Sequence, residues 1–409
     1  MKGLRPGIVW SPWERPCDSR SWNNGWECDP SEPPQPILPA SEKKEGIWVT
    51  GEIKKEEFET ERPDLIQGEV KEEGAMSGLK NLRGNLGVMA ILLATLFTGA
   101  SALAYEIWVT NQGTDKVQVI DSATLKEIAS FSTDSKPHNI EFSPDFTRAY
   151  VSNVGAGTVT VIDAVGRKIV ATVPTGKGAH GVNRSPSGRL LYVTNTGDET
   201  VSVIDTSSLK VVKTVSAGRI PSVAIFTPDE RKAYIANVSG SLSVIDVEKA
   251  EVVGEVSGLK GAIVLAVSKD GKKIYVARGF EDKVGVVDTV TDRVRSTIPA
   301  GKDAHSVWIT PDGKFAWVVN RLSNTISVVE TGRDRVVRTI RKVGDKPDIL
   351  AFSLDGSRTF VTLRGKAATG DPKLLSGSEP GLSVIDVPTG KVIAKVKLGG
   401  DPHGVGVRP

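Results

Sequence analysis

All four histidines of the 409-residue chain, His138, His180, His305 and His403, open short β-branched stretches and occupy one register of an internal repeat. In the other copies that register reads Ser222, Ile263 and Asp348. Neutral imidazoles converging on one axis suit copper, zinc, nickel or iron, and an Asp among them completes a His/carboxylate set. His138, His180, His305 and His403 are therefore candidate metal ligands, and with Asp348 they are candidate ligand-binding residues. The cofactor such a set could take is a transition metal, copper or zinc.

The elements that must position these residues announce themselves by period. Tetrads of the form aromatic-Val/Ile-x-Asn begin at Trp108, Tyr150, Tyr192, Tyr234, Tyr275, Trp317 and Phe360, with spacings of 42, 42, 42, 41, 42 and 43 residues. Around Tyr192 the unit reads as four short strands. The first ends at the turn Ser185-Pro186-Ser187-Gly188, and the second is Leu190 to Asn195. The third runs from Val201 to Ile204 and the fourth from Lys210 to Ser216. Seven such units predict an all-β, seven-bladed β-propeller with four-stranded antiparallel blades. The repeat region starts on a second strand (Tyr105 to Asn111) and stops on a first strand (His403 to Arg408), so one blade is stitched from both ends. Closure places His305, Asp348, His403, His138 and His180 in an unbroken arc.

Third strands end at Asp121, Asp163, Asp205, Asp246, Asp288, Glu330 and Asp386. These carboxylates read as turn caps that accept backbone N–H bonds, not as a site.

With its unaltered Tyr192-Val193-Thr194-Asn195, its turn Ser143-Pro144-Asp145 and its Val-Ile-Asp strand ends, the region 105–409 resembles the YVTN family of β-propeller repeats. The resemblance implies the fold and leaves the activity open, because similar repeats serve ligand binders, nucleic-acid-binding periplasmic proteins, surface-layer proteins and redox enzymes. It also implies a plainer role for the histidines, since Pro-His-Gly is a common variant of that family's turn. Arg278 and Leu363 stand where the tetrad expects Asn.

Differences between copies gather in one sector. Arg278, Arg321 and Arg364 come from loops after the second strand in three successive units, and Arg364 to Pro380 forms the one large insertion. Those loops open on the face where the first strands begin, so the three arginines join the candidate ligand-binding set.

Several chemistries are excluded. Both cysteines, Cys17 and Cys28, precede the repeats, so the repeats have no disulfide, thiol nucleophile or C-x-x-C-H for covalent haem. No G-x-S-x-G elbow or P-loop occurs, and no catalytic residue is assigned. Gly176 to Gly181 matches G-x-G-x-x-G but leads into a strand, where no helix N-terminus receives a phosphate. A net charge of +3 without long basic runs argues against nucleic acid as the partner.

Residues 1–75 read as translated upstream sequence or a disordered extension, with five of the eight Trp and mixed charge runs. Residues 76–104 read as a signal peptide: Lys80 and Arg83, an apolar core from Leu86 to Phe97, then Ala102-Leu103-Ala104. Lys71-Glu72-Glu73-Gly74 can be encoded as a bacterial ribosome-binding site ahead of Met76. A cleaved signal leaves no stable membrane span and places the propeller, residues 105–409, in the periplasm or outside the cell. The leading functional reading is a binding or scaffolding protein for a small ligand or a protein partner. The alternatives are a metal-dependent redox or hydrolase/lyase enzyme using the arc, and nucleic-acid binding.

Overall fold

A computed structural model of the chain describes residues 104–366 and 378–409. The leader readings for 1–75 and 76–104 lie outside the described residues, Ala104 apart, as do residues 367–377 of the insertion. Among the described residues no helix is long and apolar enough to cross a membrane.

The described residues form 28 strands, β1 to β28 in chain order, paired into seven four-stranded antiparallel sheets. This is the seven-bladed β-propeller that the period predicts. The innermost strands are β4 (Pro137–Phe142), β8 (Ala179–Arg184), β12 (Pro221–Phe226), β16 (Ala262–Val267), β20 (Ala304–Ile309), β24 (Pro347–Phe352) and β28 (Pro402–Arg408). They pack against one another in a ring and line the axis. Outermost strands face solvent: in β11 (Lys210–Ser216) only Val215 is buried.

Blades stack through the tetrad aromatics. Trp108, Tyr150, Tyr192, Tyr234, Tyr275, Trp317 and Phe360 are all at most 2 % exposed. Each contributes about 1.5–3 kcal/mol by leaving water. Two also latch blade to blade: Tyr275 Oη donates to Asp334 Oδ1 at 2.6 Å, and Tyr234 donates to Asp292. The tetrad Asn is a scaffold group as well. Asn153, Asn195 and Asn320 each donate from Nδ2 to a hydroxyl on the third strand of the same blade, Thr160, Ser202 and Ser327, at 2.9 Å.

Ring closure is direct. β1 (Glu106–Asn111) pairs antiparallel with β28, Glu106 opposite Arg408 and Asn111 opposite Pro402. Arg408 Nη1 lies 3.0 Å from Glu106 Oε2, and Trp108 Nε1 donates to the same oxygen at 2.9 Å. Burial pushes the Glu106 carboxyl up, but hydrogen bonds from Trp108, Arg167 and Arg408 outweigh it and hold the group below its usual range.

The strand-end carboxylates cap turns. Asp163 Oδ1 accepts from the N–H groups of Val165 and Gly166, and Asp386 Oδ1 from that of Thr389. Hydrogen bonds from Ser207 and Ser208 pull Asp205 down to about 2. These groups are fully engaged in local structure.

Candidate functional site

The second residue of each innermost strand forms a ring around the axis, and its backbone is pinned by hydroxyls from the preceding blade. Thr110 Oγ1 donates to the His138 carbonyl at 2.5 Å, Ser152 Oγ to that of His180 at 2.5 Å, and Thr362 Oγ1 to that of His403 at 2.7 Å. Each donor is the third residue of a tetrad, so the repeat itself fixes the ring. Ser306 Oγ does the same for the Asp348 carbonyl at 2.5 Å. Glycines follow two of the histidines for a steric reason. A Cβ on Gly404 would sit 2.5 Å from the His138 carbonyl oxygen, and one on Gly181 2.5 Å from that of Ser222.

The side chains converge as an arc. His138 stacks between two rings, with centroids 3.9 Å from His180 and 3.6 Å from His403. His403 Nε2 lies 3.1 Å from Asp348 Oδ2, and His305 Nε2 lies 3.1 Å from Asp348 Oδ1. Asp348 is wholly buried, yet neither of its oxygens receives an aligned hydrogen bond. Buried polar groups are almost always hydrogen-bonded, so an orphaned carboxylate at the centre of a propeller needs a reason.

Two of the three candidate arginines reach the cluster. Arg321 Nη1 is 3.6 Å from Asp348 Oδ1, and Arg364 Nε is 3.8 Å from Oδ2. Their hydrogen bonds go elsewhere: Arg321 Nε donates to Asp303 at 2.7 Å, and Arg364 grips Asp401 with two bonds of 2.8 and 2.5 Å. Arg278 stands apart. It occupies the tetrad's Asn position, pairs with Glu281 and packs over Gly285 on the third strand, where five other blades place Ser or Thr and one places Gln118. Period-2 alternation explains the difference. Arg321 and Arg364 stand one residue beyond the tetrad, so their side chains take the opposite direction from that of Arg278.

Asp303 and Asp401 escaped the reading of the sequence. Their signal was available: both are acidic residues two positions before a ring histidine, in Asp303-Ala304-His305 and Asp401-Pro402-His403. The insertion's described ends are clamped beside the cluster, with Lys366 N–H donating to the Ser378 carbonyl at 3.0 Å and Ser378 N–H to Asp345 at 2.7 Å.

Electrostatics separate the acid from the bases. Burial pushes Asp348 up, but the charges of His305, Arg364 and Arg321 win and hold it below its ordinary value. Burial, then His180 and His403, drive His138 well below its ordinary value. His403 is held down by burial and then Arg364. Burial brings His180 to about 4, against the opposing pull of the Ser222 carbonyl 2.7 Å from Nδ1. At neutral pH these three rings are neutral donors beside an ionised carboxylate.

Below the ring, starting one residue further along the strands, a cavity of about 400 Å³ follows the axis. Ile140, Val223, Trp308 and Phe352 make most of it apolar, and Glu141 and Arg184 add a pair at 3.4 Å.

Residues 107–224 match a family model described as the cytochrome D1 heme domain, and residues 265–377 match one described as a YNCE-like beta-propeller. No curated protein matches. Among solved structures, hydrazine synthase from Kuenenia stuttgartiensis is 20% identical with a TM-score of 0.56, over 66% of this chain and 88% of that one. A functionally unknown protein from Desulfotomaculum acetoxidans is 14% identical with a TM-score of 0.64, over 74% and 98%. Dihydro-heme d1 dehydrogenase NirN, in complex with DHE, is 16% identical with a TM-score of 0.55, over 74% of each chain. At these identities the structures share the fold with this chain.

The Arg364–Asp401 pair is buried and bidentate, so removing one partner leaves the other charge uncompensated. Arg364→Ala is expected to cost about 3–5 kcal/mol in urea denaturation. Arg167→Ala, whose half-exposed partner bond to Glu106 is screened by water, should change little. Equal midpoints for the two variants would show that the buried pair does not hold the loop.

Proposed function

We propose that this chain is an exported β-propeller of YVTN type that binds a small ligand at the axial His/Asp/Arg cluster. The observation that carries the reading is Asp348, fully buried, with imidazole nitrogens 3.1 Å from each oxygen and no hydrogen bond to either. A carboxylate serving only the fold would be satisfied by the fold, as the strand-end aspartates are. Rigid strands, hydroxyl-pinned backbones and a second layer of Asp303 and Asp401 are what a preorganised site requires. The signal-peptide pattern supports a periplasmic or secreted location.

The names of the matched family and of NirN raise haem as the ligand. Axial ligation needs an imidazole edge turned into a slot wide enough for a macrocycle. Here both faces of His138 are covered by other imidazoles, and His138, His180 and His403 are 3–9 % exposed. The described residues fit a small ligand or single ion better than a macrocycle.

A second reading, a metal-dependent redox or hydrolytic enzyme, is favoured by the closeness of His305, Asp348 and His403, whose donor atoms lie within 4.8 Å of one another. Nucleic-acid binding gains no support from the axial geometry or from the net charge of +3.

Native mass spectrometry of protein isolated without chelator tests the binding reading, beside an Asp348→Leu variant. Wild type should carry a one-to-one adduct that Asp348→Leu lacks, and the variant should also melt lower, because it takes a buried partner from Arg321 and Arg364. An adduct-free wild type would reduce the cluster to an internal ion-pair network.

A further inference from the structure

We infer that His305, Asp348 and His403 hold one first-row transition-metal ion, zinc or copper, through the two Nε2 atoms and the carboxylate. The inference rests on reading the cluster as a ligand site and names the ligand. It narrows the four-histidine set suggested by the register to the two rings that face Asp348.

Donor chemistry selects the class of ion. Two imidazoles and a carboxylate suit zinc, copper or nickel, whereas calcium and magnesium take all-oxygen shells. Distance is compatible. Ligands about 2.0–2.2 Å from one ion lie roughly 3–4 Å apart, and each Nε2 is 3.1 Å from its nearer Asp348 oxygen. The widest separation in the set, up to 4.8 Å, closes with a shift of under an ångström.

The surroundings leave the carboxylate available. Arg321 and Arg364 approach Asp348 but give their hydrogen bonds to Asp303 and Asp401, so Asp348 keeps its lone pairs. His305 Nδ1 faces Asp303 Oδ1 at 3.5 Å without an aligned hydrogen bond, and a small turn of the ring on metal binding would complete the carboxylate–histidine pairing that orients many ligating imidazoles. His138 and His180 lie beyond His403 in the stack and help to exclude water. The apolar cavity begins at Ile349 and Gly404, the residues that follow two of the three ligands, and offers an approach from the opposite face.

The test uses the full chain, stripped with chelator and titrated separately with zinc and with copper(II). Calorimetry should give one equivalent of metal. His305→Ala and His403→Ala should each weaken binding at least tenfold, and Asp348→Asn, which keeps the side-chain shape, should do likewise. His180→Ala should bind as wild type does. Copper(II) paramagnetic resonance should show two imidazole nitrogens in wild type and one in either single ligand variant, a readout that stability alone would not move. Absence of stoichiometric binding, or binding and spectrum unchanged in His305→Ala and Asp348→Asn, overturns the inference. A wild type that binds neither metal yet retains an organic adduct would sink the metal assignment and leave the binding reading standing.

Discussion

A chain ending at Asp401 should fail to fold cooperatively. Removing β28 takes the innermost strand from the blade that joins the two ends of the propeller, and with it the backbone ladder to β1 from Glu106 to Asn111. Val405 and Val407, both nearly buried, leave the core, and Glu106 loses Arg408. Thr110 loses the Gly404 N–H that donates to its hydroxyl at 2.8 Å. Unlike trimming an outer strand, the cut bares the edge of β1 at the axis and uncovers the inner faces of both neighbouring blades. Burial of the two valines alone is worth about 3–6 kcal/mol, a large share of the roughly 5–15 kcal/mol by which a typical domain is stable. The full chain should give a sharp thermal transition, and the truncated chain a broad one or an insoluble product. Identical melting curves would refute the closure as a source of stability.

Acid should weaken the metal-free protein well before its carboxylates titrate. His138, His180 and His403 have folded pKa values depressed by burial, that of His180 to about 4. An unfolded histidine titrates near 6.5. As pH falls through that value the unfolded chain takes up protons that these rings refuse. Stability is therefore complete above about pH 6.5 and is lost progressively below it. Each ring adds a slope of up to about 1.4 kcal/mol per pH unit, so the three together approach about 4. Glu141 works the other way: burial raises its pKa, so protonation on acidification relieves a cost, but it is one group against three. Urea midpoints of chelator-treated protein between about pH 7 and pH 5 measure the slope. His138→Phe, which keeps a ring in the stack, should remove about a third of it. Midpoints that stay flat across the interval would mean that the rings are not held neutral.

The sequence carried the propeller because its signal is collective. Seven tetrads at a near-constant spacing specify strand direction, face and height, and the closure follows from where the first and last strands stand. The ring register was legible for the same reason, since all four histidines share a height along the axis. What the register does not encode is which way a side chain turns. Arg278, grouped with Arg321 and Arg364 by loop, differs from them by one residue, and that residue is enough to direct it to the third strand. Asp303 and Asp401 were missed because a carboxylate in a polar turn is ordinary until a guanidinium is seen to close on it. Pairwise contacts across blades depend on distances that spacing along the chain does not contain.

The hydroxyl pins at the ring have a consequence for how such a molecule can change. Thr110, Ser152 and Thr362 grip the carbonyls of the ring residues and leave the side chains themselves untouched. Position is thereby inherited from one blade while identity is chosen in the next. A substitution at a histidine place swaps the functional group and leaves the socket standing, whereas at Ser222 the side chain is part of the socket, its hydroxyl donating to the Ile263 carbonyl. Descent with duplication of such a unit yields a palette of exchangeable groups on one fixed frame, and new specificities can be reached by single replacements.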